Sequence, residues 1–580
     1  MSTHDTAAQF RQTTTPITFA ELKTRIMTHE ALSLTRRRDM VSALATMAKA
    51  MGLPPEFLAA EPVTLRPRLA TMTAAKAGVR PGRWRNVMSL VASAMALEGI
   101  VRIQGRTREP LAPAWAALLA PLDTTPGAHF HIWRFARFCG GKGITPEGVT
   151  DAILADYLHD LTHFSLASEP DRGAREVARA WNTLADNQSG WPGQKLTVPD
   201  NRSTYSLPWE ALPANLVQDV DEWLAALADP DPFSERALPT RRELRPRSLA
   251  TRKQQVRLLI GALVQKGVPV NELASLADVV RLDRTRLALS FFWERAECKP
   301  TLHAGQLADV VLMIARHWVA TSPTDIAKLE RMAERLRPRP SGMADRNVER
   351  LRQLEHPGRQ KALLTLPARM LEAARKVGRP TLRLAQQVQI AAAIELLLHI
   401  PLRISNLITL QLGRDLRLDS DGSYVLRIVF RRVKNRVAIE GRLQGEAARL
   451  MKLYLERYRP LLEREPSAWL FPGANPGTHK TEDGLRSAIE KAVAVNTGMD
   501  IHPHLFRHIA AWLILRQNPG NHGMVQRLLG HASLATTMKY YSALEAAIAV
   551  ERYDALIVSL REVSDDSGPG CRPPRRPRGS

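Results

Sequence analysis

The sequence contains little cysteine. Its 580 residues include three cysteines, Cys139, Cys298 and Cys571, which lie far apart. Three isolated thiols at wide spacing fit neither a disulfide framework nor a zinc cluster, so neither is expected here. Isolated thiols of this kind fit a protein of the reducing cytosol.

Long apolar runs are also missing. The most apolar helical stretch, residues 390–402, is interrupted by Glu395 and His399 and is shorter than the roughly 20 residues that a membrane-spanning helix needs. The first residues, MSTHDTAAQFRQTTT, contain no apolar signal region. We therefore expect neither membrane insertion nor secretion.

Two signatures of nucleotide and metal chemistry are absent. The sequence has no G-x-x-x-x-G-K-[ST] loop, which would cradle nucleotide phosphates. It also has no set of closely spaced carboxylates of the kind that two-metal nucleases use. Neither ATP-driven nor two-metal chemistry is indicated.

Acidic residues are few relative to basic ones. Lysine and arginine number 81 and aspartate and glutamate 58, which leaves a net charge of +23 and a pI near 10.4. This charge favours a polyanionic partner, with nucleic acid as the first candidate. Ribosome-associated and membrane-surface proteins are also basic, so charge alone leaves those classes open.

The length predicts several domains, because one hydrophobic core usually serves about 100 to 200 residues. Proline, glycine and charge cluster in stretches typical of linkers, at residues 106–127, 191–215, 229–247 and 335–359. We predict helical domains at 1–120, 121–235 and 236–345, a mixed domain at 360–560, and a disordered basic tail at 561–580, which ends in CRPPRRPRGS.

The secondary-structure pattern changes near residue 364. Helical periodicity through residues 382–412 gives way to YVLRIVF at 424–430 and VAI at 437–439, two runs that predict a β-hairpin among helices. The expected fold class is therefore mainly α with a small β-hairpin or sheet, in several domains, the last of them α+β. Further helices are predicted at 445–458, 483–495, 505–516, 524–529 and 542–560.

Four segments of the last domain contain basic residues, histidines or tyrosines and are best weighed together. They are PLRISNLITL at 401–410, RRVKNRVAI at 431–439, HPHLFRHIAAWLIL at 502–515 and LLGHASLATTMKYY at 528–541. Each segment alone is a weak signal. Surface arginines are common in an arginine-rich chain, and a basic hairpin is ordinarily only solvated.

Together, the order, content and separation of these segments resemble the catalytic domain of the tyrosine recombinases, the phage integrase family. The resemblance covers residues 364–560, and residues 248–318 resemble the family's helical core-binding (SAM-like) domain. The catalytic domain has an Arg opening a helix, a Lys on a hairpin, an H-x-x-R motif, and an L-G-H motif followed nine residues later by Tyr. This sequence supplies all six positions, as Arg403, Lys434, His504, Arg507, His531 and Tyr540.

The resemblance implies a site that holds a phosphodiester. Arg403 and Arg507 would bind the non-bridging oxygens, whose negative charge grows in a pentacoordinate transition state. His531 would hydrogen-bond the same phosphate. Asn406 stands where members often carry an acidic residue, which puts the orientation of Arg403 in question.

The resemblance also implies the proton transfers. Tyr540 would attack the phosphorus and form a 3′-phosphotyrosine, while His504 would serve as base or proton relay. Lys434 would protonate the departing 5′ oxygen. Tyr541 points elsewhere on the helix, because adjacent residues are about 100° apart, and is expected either to be a packing residue or to support the site residues without touching the phosphate.

The implied partners are duplex DNA and three further copies of the chain, in a tetramer on paired DNA sites, with or without accessory proteins. No ATP, metal ion or other cofactor is implied. Integration or excision of a mobile element in a bacterium, in the nucleoid, is the expected setting.

Three alternatives stay open on the sequence. His502, His504 and His508 could form a zinc site, although Pro503 restricts how His502 joins the other two. The same six residues would also serve a type IB topoisomerase that relaxes supercoils. A DNA-binding regulator that keeps the fold without catalysis is the third alternative.

Overall fold

The chain divides into two compact units. One combines Met1–Pro199 with Gly342–Ser580, and the other is Asp200–Ser341. The predicted tail falls largely on residues outside the described part of the chain. The computed structural model describes residues 16–102, 111–122, 130–199, 205–229, 231, 233, 244–338, 342–531 and 533–565.

The first unit begins with a group of four helices. They are α1 (Phe19–Thr28), α2 (Leu34–Met51), α3 (Pro62–Ala70) and α4 (Pro81–Leu97). Thr18 begins α1 with a capping box, in which its hydroxyl accepts from the Glu21 N–H at 3.2 Å and the Glu21 carboxylate accepts from the Thr18 N–H at 2.7 Å. Gly52 ends α2 at φ +68°, a conformation that glycine adopts without steric cost.

A second group of helices in this unit surrounds an aromatic core. They are α5 (Pro113–Leu119), α6 (Phe130–Gly141), α7 (Asp151–His163) and α8 (Pro170–Asn187). The rings of Trp115, Phe135 and Trp181 are fully buried and meet largely edge to face, with centroids 6.2 to 6.3 Å apart. The two indole N–H groups donate to the Ile144 and Gln194 carbonyls at 2.8 Å, so burial leaves them satisfied.

The second unit is helical in its described part. Its helices pack around an aliphatic core that includes Ile260 and Leu307. The Trp318 indole donates to Asp219 at 2.7 Å, and Asp219 also accepts from the Leu276 N–H at 2.6 Å. The domain boundaries at residues 120, 235 and 345 stay predictions. The helices are α9 (Ala214–Ala228), α10 (Pro246–Gln265), α11 (Leu276–Val280), α12 (Leu282–Arg295), α13 (Leu302–His317) and α14 (Pro323–Leu336).

The chain returns to the first unit with five helices, where one prediction needs correction. Continuous helical periodicity over residues 382–412 is interrupted at Pro401, which lacks an N–H and disfavours helical backbone in the residue before it. The helices are α15 (Asp345–Arg352), α16 (Pro357–Leu364), α17 (Leu366–Lys376), α18 (Leu382–His399) and α19 (Ile404–Ile408).

The predicted hairpin forms two strands of a three-stranded antiparallel sheet. The strands, in spatial order, are β1 (Leu416–Leu418), β2 (Tyr424–Ile428) and β3 (Ile439–Leu443). The sequence does not predict β1, because three residues are too few to show alternation. In β3, a Cβ at Gly441 would lie 2.4 Å from Ile400 Cδ1, so glycine allows the sheet to approach the segment that follows α18.

The remaining predicted helices are present, with one start corrected. The predicted helix at 542–560 begins earlier, at Leu534, because the Ser533 hydroxyl accepts the Thr536 N–H at 3.3 Å and caps the helix. Both Tyr540 and Tyr541 therefore lie inside a helix. The helices are α20 (Gly445–Leu453), α21 (Glu482–Thr497), α22 (Leu505–Gln517), α23 (His522–Leu529) and α24 (Leu534–Asp565).

The predicted fold class, mainly α with a small sheet, is confirmed. One large apolar core joins the helices and strands between residues 343 and 541. Within the described part of the chain, no helix combines the length and the apolar character that crossing a membrane requires.

Candidate functional site

Arg403 stands at the start of α19, immediately after the turn that Pro401 imposes. It is the N-cap residue of that helix, with extended backbone at φ −71° and ψ 144°. Its side chain is half-buried, and this burial lowers the pKa of the guanidinium. The local sequence therefore places a partly desolvated positive charge at a helix end.

Arg507 lies in the first turn of α22 and is buried, with 3% of its surface exposed. Its Nη1 donates to the Pro401 carbonyl at 2.6 Å, and its Nη2 donates to the Leu529 carbonyl. Burial, followed by the charge of Arg403, lowers the pKa of Arg507 to about 10. Arg507 therefore joins the segment before α19 to the end of α23 while remaining charged at neutral pH.

His504 is the N-cap residue of α22. Much of its ring surface is exposed, but protein atoms and cations surround the rest of it. Desolvation, followed by the charges of Arg507 and other neighbours, lowers its pKa to about 4. The imidazole is therefore neutral at pH 7 and can accept a proton.

His502 has a structural role that bears on the zinc alternative. Its Nδ1 accepts the Leu505 N–H at 3.2 Å, and its Nε2 lies 3.4 Å from Asn347 Oδ1. Both ring nitrogens are therefore engaged by protein groups. Among the described residues, no group of three or more His, Cys, Asp or Glu side chains is arranged to hold a metal ion.

His508 and Tyr541 form a buried pair. The Tyr541 Oη and the His508 Nδ1 are 3.0 Å apart and share a hydrogen bond. Burial raises the pKa of Tyr541, whereas burial and the neighbouring His504 and Arg507 lower the pKa of His508 to about 3. Both partners are therefore uncharged at neutral pH.

His531 follows Gly530, which ends α23 in the left-handed conformation at φ +58°. The His531 Nδ1 lies 2.9 Å from the Thr537 hydroxyl, and Thr537 is fully buried in the first turn of α24. Burial and the charges of Arg507 and Arg403 lower the pKa of His531 to about 4. This ring is thus fixed between the end of one helix and the start of the next.

The two tyrosines of α24 differ in exposure. Tyr540 exposes 40% of its surface, whereas Tyr541 exposes 2% and stacks its ring almost parallel to His531, at 6.4 Å between centroids. The structure therefore places Tyr541, and not Tyr540, against the histidines and Arg507. Tyr540 lies one helix position away, on the solvent side.

Lys434 is exposed on the loop between β2 and β3. The next residue, Asn435, donates from Nδ2 to the Gly530 carbonyl at 3.0 Å. At the start of the loop, Arg432 donates to the Thr409 carbonyl at 2.9 Å and pairs with Asp415. The loop that carries Lys434 is therefore held beside the turn that carries His531.

The neighbours that influence the charges of the four site residues Arg403, Arg507, His504 and His531 are positive or uncharged. The causes that shift the pKa values of Arg403, Arg507, His504 and His531 are burial and positive or polar neighbours. Among the described residues, no carboxylate shifts the pKa of any of these four side chains. Two buried or half-buried guanidinium groups without a carboxylate form a site suited to an anion.

Asn406, which departs from the family pattern, is buried in α19. Its Nδ2 has no hydrogen-bond partner among the described residues. An amide adds no negative charge next to Arg403, so the positive character of the site is retained.

The structure thus brings Arg403, Arg507, His504 and His531 into electrostatic contact, anchors the Lys434 loop nearby, and leaves Tyr540 exposed at the edge. Sequence reasoning missed Asn435 and Thr537. No sequence pattern marks either residue. Their hydrogen-bond partners, the Gly530 carbonyl and the His531 ring, come within reach only in the folded chain.

One family model matches part of the chain. Residues 369–546 match the model of the phage integrase family, and this stretch contains all six predicted site residues. No curated protein sequence matches the chain.

Three solved structures are similar to parts of the chain. XerA recombinase is 16% identical and covers 57% of this chain and 98% of its own, with a TM-score of 0.24. XerH site-specific recombinase bound to palindromic difH substrate is 15% identical, covering 60% and 99%, with a TM-score of 0.33. A lambda integrase dimer bound to a COC′ core site is 15% identical, covering 65% and 89%, with a TM-score of 0.34.

Proposed function

We propose, from the premise that residues 369–546 are a phage integrase family domain, that this protein is a site-specific DNA recombinase. It breaks and rejoins DNA through a 3′-phosphotyrosyl intermediate. The observation that supports this most is the pairing of Arg403 with buried Arg507 in a site without a compensating carboxylate among the described residues. A phosphodiester gains negative charge in its transition state, which such a site would stabilise.

In the proposed cleavage step, the Tyr540 oxygen bonds to phosphorus and the bond from phosphorus to the 5′ oxygen breaks. The phenol proton passes to neutral His504, and Lys434 supplies a proton to the departing 5′ oxygen. The low pKa of His504 in the free protein rises when a phosphate is bound, because the anion offsets the charges of Arg403 and Arg507. Rejoining reverses each transfer, so neither ATP nor a metal ion is needed.

Arg507 has a double role in this proposal. A guanidinium carries five N–H donors, and the Pro401 and Leu529 carbonyls each accept one bond from it. The remaining donors are available to a phosphate oxygen, as are those of Arg403. His531, held by Thr537, would add a hydrogen bond from its other ring nitrogen.

The proposed partner is duplex DNA, and the proposed working form is a homotetramer on two paired sites, acting on a mobile element in the bacterial nucleoid. The net charge of +23 supports a polyanionic partner. Since each neutralised phosphate changes the slope of log K against log salt by about −0.9, a slope shallower than about −3 would contradict extensive contact with DNA.

Helix α24 supplies a surface for assembly in this proposal. Its distal part exposes Val550, Tyr553, Leu556 and Leu560, each with more than half of its surface accessible. Docking of this face on a neighbouring copy would bury it. Deleting residues 546–580 should therefore reduce pairing of two DNA sites more than binding to one, and unchanged tetramer formation would reject this assignment.

Covalent trapping tests the function itself. A nicked suicide substrate, from which the short 5′-hydroxyl strand diffuses away, should accumulate a protein–DNA adduct, and peptide mapping should find the nucleotide on Tyr540. Tyr540→Phe removes the attacking oxygen while keeping the ring, so binding should persist and the adduct should vanish. No adduct with the unmodified protein would indicate a DNA-binding regulator. Supercoil relaxation by a monomer, without paired sites, would instead indicate a topoisomerase.

A further inference from the structure

Two adjacent tyrosines of α24 lie in opposite environments, and the buried one has no part in the proposed reaction. Tyr541 exposes 2% of its surface and Tyr540 exposes 40%. Ordinary packing would require only an aromatic ring at position 541. The phenol hydroxyl, however, is also specifically bonded.

The contacts of Tyr541 reach two other elements of the site. Its hydroxyl bonds to His508 Nδ1 on α22 at 3.0 Å, and the two rings meet at 5.7 Å between centroids. Its ring also lies parallel to that of His531, within 6°. Tyr541 therefore connects α24 both to the helix that carries Arg507 and to the turn before α24.

We propose that Tyr541 is a positioning residue for strand cleavage. Its hydroxyl, bonded to His508, fixes the rotation of the first turns of α24 and so sets the direction in which Tyr540 presents its phenol. This inference rests on the proposed function, since it concerns the geometry of the same attack.

Helix geometry links the two tyrosines. Thr537 and Tyr541 are four residues apart and share one face, and both are buried. Thr537 holds His531 and Tyr541 holds His508, so this face is anchored at two successive turns. Adjacent residues differ by about 100° in direction, so Tyr540 has a fixed offset from the anchored face. Because attack tolerates an error of only about 0.5 Å, a small rotation of this helix would lower the cleavage rate.

The pair is suited to positioning and not to proton transfer. The pKa of His508 is lowered to about 3 and that of Tyr541 is raised, so neither group changes charge near neutral pH. Arg507, His504 and His531 surround the pair. A neutral hydrogen bond keeps its geometry without adding further charge beside these groups.

The test measures single-turnover cleavage of the suicide substrate by the full chain, together with DNA affinity and thermal unfolding. Tyr541→Phe keeps the ring and removes the hydroxyl. Because one hydrogen bond is lost, we expect cleavage to slow by about 3- to 10-fold at unchanged affinity. His508→Leu removes the partner and should slow cleavage to a similar extent. His508→Asn keeps a polar group near the Nδ1 position and should restore much of the rate.

A double variant, Tyr541→Phe with His508→Leu, separates coupling from unrelated structural damage. If the hydroxyl and the imidazole act through their shared bond, the double variant should cleave about as fast as either single variant. Tyr157→Phe, at a buried tyrosine of the aromatic core of α5 to α8, is the matched control and should cleave at the original rate.

The outcomes distinguish this inference from the proposed function. An adduct that maps to Tyr540, with cleavage unaffected by Tyr541→Phe or with fully additive losses in the double variant, would overturn the positioning role alone. An adduct on Tyr541 would overturn it as well, because that residue would then be the nucleophile. A complete absence of adduct in the unmodified protein would overturn both.

Discussion

The aromatic core of α5 to α8 and the candidate site around Arg403 and Arg507 bury polar groups in different ways. In the aromatic core, the indoles of Trp115 and Trp181 each donate to a carbonyl, and the rings fill the space between helices. In the candidate site, Arg507, His508 and His531 are neighbours, and desolvation lowers the pKa of each. Burial adds to stability in the first region and opposes it in the second.

This difference indicates that the residues of the candidate site favour reactivity at a cost in folding stability, whereas those of the aromatic core do not. Satisfied aromatic packing adds stability because apolar area is removed from water without unpaired donors. Positive groups without carboxylates instead repel one another until an anion binds. The first region should therefore respond to substitution mainly in stability, and the second mainly in reactivity and in its response to pH.

The largest expected effect is on stability, at Trp181. Trp181→Ala removes a fully buried ring that contacts Trp115, Phe135 and Trp191, and should lower the free energy of unfolding by about 3 to 5 kcal/mol. Denaturant unfolding measures the loss, and Trp181→Phe, which keeps a ring, should lose less. Cleavage per folded molecule should not change. If it falls in proportion to stability, the two regions are not independent.

The next effect is on the reaction, at Arg507. Arg507→Lys keeps the positive charge. Its ammonium group, however, cannot donate hydrogen bonds to the Pro401 carbonyl, the Leu529 carbonyl and a phosphate in the fixed directions of a guanidinium. We expect cleavage to fall by about 100-fold or more, as for loss of a donor to transition-state charge. Arg516→Lys, on the same helix, is the control. Near-normal cleavage by Arg507→Lys would show that charge alone is sufficient.

A third effect concerns pH. The pKa values of His504, His508 and His531 are lowered to about 4, about 3 and about 4, below the value of roughly 6.5 expected in the unfolded chain. Between about pH 6.5 and pH 3 the unfolded state therefore binds more protons, and stability is lost as pH falls through this window.

Amide hydrogen exchange at pH 7 and pH 5 locates this loss. Protection of α22, which carries His504 and His508, should fall more than protection of α8. Sulfate should oppose the loss, because an anion offsets the positive charge. His508→Asn should reduce the pH dependence. An equal loss of protection in α22 and α8 would show that the pH dependence does not originate in the histidines of the candidate site.

The smallest effect is expected at Asn435. Asn435→Ala removes the bond to the Gly530 carbonyl and frees the loop that carries Lys434. Cleavage should slow by about 3- to 10-fold, the value of one ordinary hydrogen bond, with unfolding changed by about 1 kcal/mol at most. A substrate with sulfur in place of the 5′ oxygen needs no acid on departure, so it should reduce the difference between the variant and the original protein. A difference that persists would place Asn435 outside the Lys434 step.

The helical class and the hairpin are predicted correctly from the sequence, because hydrophobic period is visible without knowledge of contacts. Residue order and spacing also select six candidate site positions, which stay predictions. Strand β1 is not predictable, since LRL has no visible period. The start of α24 is also misplaced, because the capping strength of Ser533 is decided by the turn that precedes it.

The directions of the Tyr540 and Tyr541 side chains are a second feature that the sequence does not predict. Spacing from His531 selects Tyr540, but it does not reveal that Tyr541 is buried against His508. That placement depends on His508, which is 33 residues away in sequence and becomes a partner only when α22 and α24 pack. The bond between Asn435 and the Gly530 carbonyl, 95 residues apart, is unpredictable for the same reason.

The short stretch from His531 to Tyr541 also has a consequence for insertions and deletions. His531, its first residue, bonds to Thr537, and the His531 ring lies parallel to the ring of Tyr541, the last residue. The two ends of the stretch are therefore close together. Adding or removing one residue in its helical part, from Leu534 to Tyr541, would turn the later side chains by about 100° relative to those before the change and move both tyrosines out of position. The exposed turn between β1 and β2, by contrast, can change length without moving either ring. Natural length variation in such a protein should therefore accumulate at the sheet turn and be absent between His531 and Tyr541.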